Sequence, residues 1–482
     1  MSTEPGTPSA TRAAIRERAG RRRFVRSWVA TVAVLSVTAG VLGAASVAQG
    51  PRLSSATLNT VAAVERAGQR LVLQADQPLA TVTADAVEVE PAAPVELTAD
   101  GEQLTIRFTG LLRYGTEYRV KVAVNSAATG ASGRLEYRFA TPDVATYSLD
   151  RHDPADDETN SDGTATAGTD RVVRHSLSGA TPDTVVVEAP RIQEYAPVGS
   201  VLAAVVLADD DTPSLELVSP EDGLVTEIPT PQARGIRALR VASGGDLIGY
   251  IVDGDDGTGT LYLLDLEDAS WVPIEVAGPA GTPLAALDWA FVPGTTSVVV
   301  QADDEQLYLV DPVAGTTATP LGQHAELRGF LPGTVQLVVA DPDGGAIIDL
   351  SDGSTTALAL PAPSVPDGLY PDAFVLTSPT SFVELYNDPM GLSDAGARSI
   401  LYAVDADGTR ELFRPATATS RIGAVCLSPN GQYLSVEVVP GGATPDDYPN
   451  APGWSGTTIY YVDAETGTFS RGVTGMSADW CG

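Results

Sequence analysis

Leu261-Tyr262-Leu263-Leu264-Asp265 is an alternating apolar run that ends in an acidic turn. The chain repeats it. Close copies are Leu307-Tyr-Leu-Val-Asp311, Leu401-Tyr-Ala-Val-Asp405 and Ile459-Tyr-Tyr-Val-Asp463. Weaker copies are Ala346-Ile-Ile-Asp349, Leu215-Glu-Leu-Val-Ser219 and Val172-Val-Arg-His-Ser176. The terminal Asp or Ser recurs at spacings of 43, 46, 46, 38, 56 and 58 residues. Short strands recurring every 40–50 residues or so predict a β-propeller, with one four-stranded blade per repeat. The seven copies predict seven blades.

The last repeat parses most clearly. Ile422-Gly-Ala-Val-Cys-Leu427 reads as strand a and Gln432-Tyr-Leu-Ser-Val-Glu-Val438 as strand b. Thr458-Ile-Tyr-Tyr-Val462 reads as strand c and Thr468-Phe-Ser-Arg-Gly-Val473 as strand d. The a–b turn, Ser428-Pro-Asn-Gly431, resembles the ser-pro-asp-gly turn of TolB-like and WD40-like propeller repeats, and Val292-Pro-Gly294 holds the same place in blade 4. Blades 2 to 7 are expected at 191–234, 235–280, 281–325, 326–364, 365–417 and 418–475.

Blade 1 offers only strands b, c and d, at Val144–Leu149, Arg171–Leu177 and Asp183–Glu188. The final residues, Met476-Ser-Ala-Asp-Trp-Cys-Gly482, are expected to supply its inner strand, because Ala478-Asp-Trp480 echoes Leu287-Asp-Trp289. Closing the ring this way leaves no free sheet edge. Aligned on blade 4, Cys426 and Cys481 both fall at the position of Ala290, on neighbouring inner strands. A disulfide between them would latch the ring; two packed free thiols are the alternative. A redox role lacks a Cys-x-x-Cys motif.

Ahead of the propeller, residues 70–142 read as short alternating strands bounded by turns, within an expected domain at 51–142. Leu111-Leu-Arg-Tyr-Gly-Thr-Glu-Tyr-Arg-Val120 and Tyr137-Arg-Phe-Ala-Thr-Pro142 resemble phrases of bacterial Ig-like domains from surface and S-layer proteins. That resemblance implies a small β-sandwich acting as a spacer or adhesive unit. Residues 53–69 read as a short helix or a first strand.

The N-terminus reads as an address. Residues 1–26 form a basic tail, expected to be cytoplasmic, and an apolar stretch runs from Trp28 to Ala48 within a segment expected to span at 27–48. Twenty-one helical residues cover about 31 Å, enough for a bilayer core. Basic residues before it set the N-terminus inside and residues 51–482 outside. Ser46-Val-Ala48 also fits a cleavage site that would release a secreted protein. Arg21-Arg-Arg-Phe-Val25 resembles a twin-arginine export signal, with Gly20 where Ser or Thr is usual.

Seven Arg against two Glu give residues 1–26 a surplus of +5, so the rest must carry −38 to reach the total of −33. Such a surface repels nucleic acid and anionic lipid and suits solubility, cations or a basic partner. Lys121 is the single Lys.

Candidate function falls on loops. The b–c connections are acidic in nearly every blade, and three are long: about 150–170, 387–398 and 440–457. They belong to blades 1, 6 and 7, contiguous in a closed ring. Binding-face candidates are Asp156, Asp157, Asp388, Asp446, Asp447, Tyr448 and Trp454, although Asp, Gly and Pro are also what tight turns need. No catalytic residue and no metal ligand is assigned, and no cofactor is expected. Ca²⁺ is the one candidate ion, from the loop fragments Asp253-Gly-Asp-Asp-Gly257 and Asp405-Ala-Asp-Gly408. The three His, at 152, 175 and 324, lack metal-ligand spacing; His175 is expected to pack in a strand and His152 to be exposed. The expected protein is a non-enzymatic, membrane-anchored propeller in the cell envelope that binds or scaffolds a protein, peptide or glycan. The alternative is a secreted propeller hydrolase or lyase with a Ca²⁺-supported channel site.

Overall fold

The computed structural model describes residues 27–38, 50–152, 168–268, 270–391 and 396–481. Residues 27–38 are helical, about 18 Å of rise. Among the described residues no helix is long and apolar enough to cross a membrane; residues 39–48 of the expected span lie outside them. The chain divides into two compact units. The smaller takes in Gly68–Gly110 and Glu117–Ala140 with the chain up to Ala63; the larger takes in Thr141–Gly482 with Val64–Ala67 and Leu111–Thr116.

The smaller unit has two antiparallel sheets. One runs Leu53–Thr57, Arg70–Ala75, Gln103–Phe108, Val95–Asp100; the other runs Val87–Glu90, Glu117–Asn125, Ser132–Ala140. Residues 53–69 supply both a strand, Leu53–Thr57, and a helix, Thr60–Glu65. Period-two alternation decides each face. Along Glu117–Asn125, Tyr118, Val120, Val122 and Val124 are buried, while Lys121 reaches Glu88 and Glu90 at 3.2 and 3.1 Å. Phe139 of one sheet meets Phe108 of the other edge-on at 6.2 Å.

In the larger unit the described residues form one three-stranded sheet and then six four-stranded ones. The first holds Ala145–Asp150, Asp170–Ser176 and Thr184–Ala189. The next six span Ile192–Ile228, Gly235–Glu275, Ala286–Gln323, Glu326–Ala357, Tyr370–Phe413 and Arg421–Thr474. In each, strands pair antiparallel in sequence order, the repeat of a β-propeller. First strands of most successive sheets approach one another, as Ile192–Val198 does Gly235–Val241. All six of those first strands carry a register shift against the second, as between Arg237 and Arg240, and such bulges bend a strand.

The recurring phrase lies on third strands, such as Gly259–Asp265 and Thr458–Asp463. Its terminal Asp builds the following turn. Asp265, Asp349, Asp405 and Asp463 each accept the backbone N–H two residues on, at 2.8–3.0 Å. A short carboxylate that reaches its own backbone is why Asp recurs there.

Apolar clusters bind sheet to sheet. Ala203, Val205 and Leu217 of the second pack on Ile236, Ile248 and Tyr250 of the third. Similar clusters join the third to the fourth, fourth to fifth, fifth to sixth, sixth to seventh, and first to second. Among the described clusters none joins the seventh sheet to the first.

The C-terminal segment departs from the expected inner strand. It makes one bridge, with Leu149 and Met476 exchanging N–H···O bonds of 2.9 Å, and then a 3₁₀ turn at Asp479–Cys481. Gly475 at φ 116° and Ser477 at φ 51° break the extended run. The Asp479 carboxylate instead accepts the Tyr147 N–H at 2.9 Å, doing a strand carbonyl's job. Cys426 and Cys481 are bonded, with Cα atoms 5.2 Å apart, and Cys481 sits in that turn rather than on a strand.

Candidate functional site

The seam between the seventh and first sheets concentrates the titratable groups. Alternation along Ala145–Asp150 sends Leu149 toward the second sheet, leaving Thr146 and Ser148 on the other side. Ser148 Oγ lies 2.9 Å from His175 Nε2, and His175 Nδ1 lies 3.0 Å from Asp183 Oδ1, close but poorly aligned for a hydrogen bond. Arg471 also binds Asp183, at 2.7 Å, and holds its carboxyl below the usual range; His175 adds to the effect and slight burial opposes it.

These are the distances of a Ser-His-Asp trio, but the proton is committed elsewhere. Ser148 Oγ donates its one hydrogen to the Thr474 carbonyl at 2.9 Å. His175 Nε2 must then donate to the serine, the reverse of a general base. Ser148 is fully buried, and a Cβ on Gly475 would lie 2.9 Å from its oxygen, so no substrate reaches it in this arrangement.

Deeper in the seam, Tyr461 stacks edge-on to Trp480 at 5.0 Å. Tyr195 Oη donates to the Ser477 carbonyl at 2.6 Å, and Glu437 accepts the Ser477 N–H at 2.5 Å. Desolvation pushes the carboxyl of Glu437 up and that of the half-buried Asp479 up to about 7, and it raises Glu194 as well, where that side chain accepts the Leu239 N–H between the second and third sheets. The hydrogen bonds they accept oppose that shift without cancelling it.

The 440–457 loop behaves unlike a free binding loop. Asp446 Oδ2 accepts from Arg151 Nη1 at 2.6 Å. Arg151, nearly buried, also donates to the carbonyls of Ile192, Gln193 and Ala451, at 3.2, 2.8 and 3.0 Å. Its guanidinium lies 3.7 Å from the Tyr448 ring centre. Tyr448 Oη donates to the buried Asp170, which also takes the N–H groups of His152 and Ile192 at 2.9 and 2.7 Å. Burial first, and then Asp170, push the Tyr448 hydroxyl up. Asn450 Nδ2 sits where a Cβ on Gly235 would come within 2.8 Å. The loop is therefore a strap from the seventh sheet over the first to the second and third.

This corrects the sequence expectation for Asp446 and Tyr448, which bind inward. Asp388 is also buried, in a tight turn closed by its N–H to the Arg398 carbonyl at 2.9 Å. Asp447 is exposed, and Trp454 is 38% exposed with Arg421 over its ring at 4.2 Å. Asp156 and Asp157 lie outside the described residues. His152 is half-buried rather than exposed. Sequence reasoning missed Arg151, Asp170, Ser148, Asp183 and Asp479, which carry no spacing signal, and Asp479 lies about 300 positions or more from the others.

Of the proposed Ca²⁺ fragments, Asp253 pairs with Arg237 at 3.1 Å, and Asp256 and Asp405 accept backbone N–H groups within their own turns. Among the described residues no group of three or more His, Cys, Asp or Glu is arranged to hold a metal ion. A shallow cleft of about 410 Å³ lies beside Pro293, Gln336 and Asp349, and Gln336 already hydrogen-bonds Asp349 there at 3.1 Å.

No family model matches this sequence, and no curated protein matches it. Among solved structures it is similar to TolB from Acinetobacter baumannii, at 13% identity over 81% of this chain and 80% of that one, TM-score 0.35. It is similar to an auxiliary nutrient binding protein from Bacteroides thetaiotaomicron, at 11% identity over 89% and 98%, TM-score 0.32. It is also similar to oligopeptidase B from Leishmania major, at 11% identity over 63% and 46%, TM-score 0.39.

Proposed function

We propose that the chain is a membrane-tethered, extracytoplasmic binding or scaffold module: a small Ig-like sandwich followed in sequence by a seven-bladed propeller, held by its N-terminal apolar segment. Protein partners fit best. The observation that carries this reading is a set of large apolar side chains left in solvent on the face of the second-to-third-strand loops. Tyr370 is 56% exposed, Met390 69% and Trp454 38%. Side chains of this size left out together mark interaction surfaces. The closed Ser148 trio argues against a hydrolytic role at the seam.

Site-specific photo-crosslinking in cells making the full-length chain tests it. Crosslinkers go at Tyr370 and Trp454 on the loop face, and at Ser351 and Asp407 on the opposite turns. Discrete adducts with an envelope protein from either face support the reading, together with recovery in the membrane fraction. No adduct from any position contradicts it.

A further inference from the structure

We propose that the loop face docks an extended peptide segment of a partner protein in which Arg or Lys side chains alternate with aromatic or apolar ones. This rests on the binding reading above and names the partner's chemistry. The exposed apolar side chains of this face fall on the loops of the neighbouring sixth and seventh sheets. Tyr370 pairs with Asn387, at the foot of the turn that carries Met390. The far side of that turn binds the seventh sheet's approach, the Arg398 N–H donating to the Ala418 carbonyl at 3.2 Å. Three residues on, Arg421 lies over Trp454.

Charge selects the occupant. Exposed carboxylates on the same face include Asp210, Asp255, Asp304, Asp343, Asp372 and Asp447, one from each four-stranded sheet. The face's exposed cations are few, chiefly Arg234, Arg398 and Arg421. A negative field around an apolar patch attracts a cation and repels an acidic or nucleic-acid partner. A chain whose side chains alternate can turn apolar groups toward Tyr370, Met390 and Trp454 and cations toward the carboxylates. Tryptophan rings also accept guanidinium groups, as Trp454 does from Arg421.

The test is fluorescence anisotropy with the full-length protein in non-ionic detergent and a labelled peptide of alternating Arg and Trp. Two control peptides replace Trp by Ser, or Arg by Glu. The expected result is binding of the Arg–Trp peptide alone, weakened by salt. Combining Tyr370→Ser, Met390→Ser and Trp454→Ala is expected to weaken it by about tenfold or more. Asp372→Asn with Asp447→Asn guards against misfolding and should weaken binding while leaving the melt unchanged. Equal binding of the Ser-for-Trp peptide, or no effect of the triple variant, reduces the interaction to unspecific charge and overturns the proposal. Binding of the Glu peptide also overturns it. If no peptide binds but crosslinks form from the opposite turns, this proposal falls and the binding reading stands; with neither, both fall.

Discussion

At Asp479 a half-buried carboxyl has its pKa pushed up to about 7 by desolvation, with Glu437 and Glu194 shifted the same way. A carboxyl whose folded pKa lies above its unfolded value holds its proton more tightly in the native state. Its contribution is fully present below the unfolded value and is lost as pH rises from about 4 through 7. The shift corresponds to about 4 kcal/mol at most. Asp479→Asn keeps an oxygen for the Tyr147 N–H and removes the titration. Urea unfolding of both proteins at pH 5 and pH 8 should show the variant gaining on the parent by about 1–3 kcal/mol between those pH values. Parallel behaviour would mean that Asp479 does not carry this linkage. Exposed acids such as Asp183, whose pKa is lowered, act in the opposite sense, so the difference between the two proteins is the quantity to read.

Gly249 is a second residue-scale constraint. A Cβ there would lie 2.3 Å from the fully buried Trp289 ring and 2.7 Å from Leu263. Gly249→Ala should cost about 1–3 kcal/mol in chemical denaturation, because the ring has no room to retreat. No effect would show that the third and fourth sheets are packed more loosely than this.

At the scale of elements, the strap from the seventh sheet carries its energy in one arginine and one tyrosine. Tyr448→Phe removes a single donor from the buried Asp170 and should cost about 1–2 kcal/mol. Arg151→Met strands Asp446 and frees three carbonyls, and should cost about 3–5 kcal/mol. Equal losses by thermal melting in the two variants would contradict the hub role of Arg151. These elements also show what sequence could supply. Leu261–Asp265 and its copies were legible because period-two alternation and a turn-building Asp are local. Met476–Cys481 was misread as a strand, since Ala478-Asp-Trp480 echoes a strand start while the positive φ of Ser477 turns the chain away. Tyr448 and Asp446 were legible as notable residues but not in direction. Whether they face solvent depends on Arg151 and Asp170, each more than 270 positions away.

For the whole molecule, apolar clusters join six pairs of neighbouring sheets, and at the seam between the seventh and the first the buried Tyr461 packs edge-on against Trp480 of the C-terminal segment. The fold adds further fasteners at this seam. They are the Leu149–Met476 bridge, the Asp479 cap, the strap and the Cys426–Cys481 bond. Closing a loop with a separation of 55 residues stabilises by about 4 kcal/mol in the chain-entropy model. A seam closed by a terminal segment and one disulfide should open first, and reduction should matter more there than anywhere else.

Native-state hydrogen exchange of the full-length protein at pH 8, read by mass spectrometry before and after reduction, measures this directly. The expected result is loss of protection in Ala145–Asp150, Asp170–Ser176 and Thr458–Asp463, with the third to sixth sheets unchanged. Unchanged protection at the seam, or equal loss from every sheet, would contradict a ring closed and latched by its C-terminal segment.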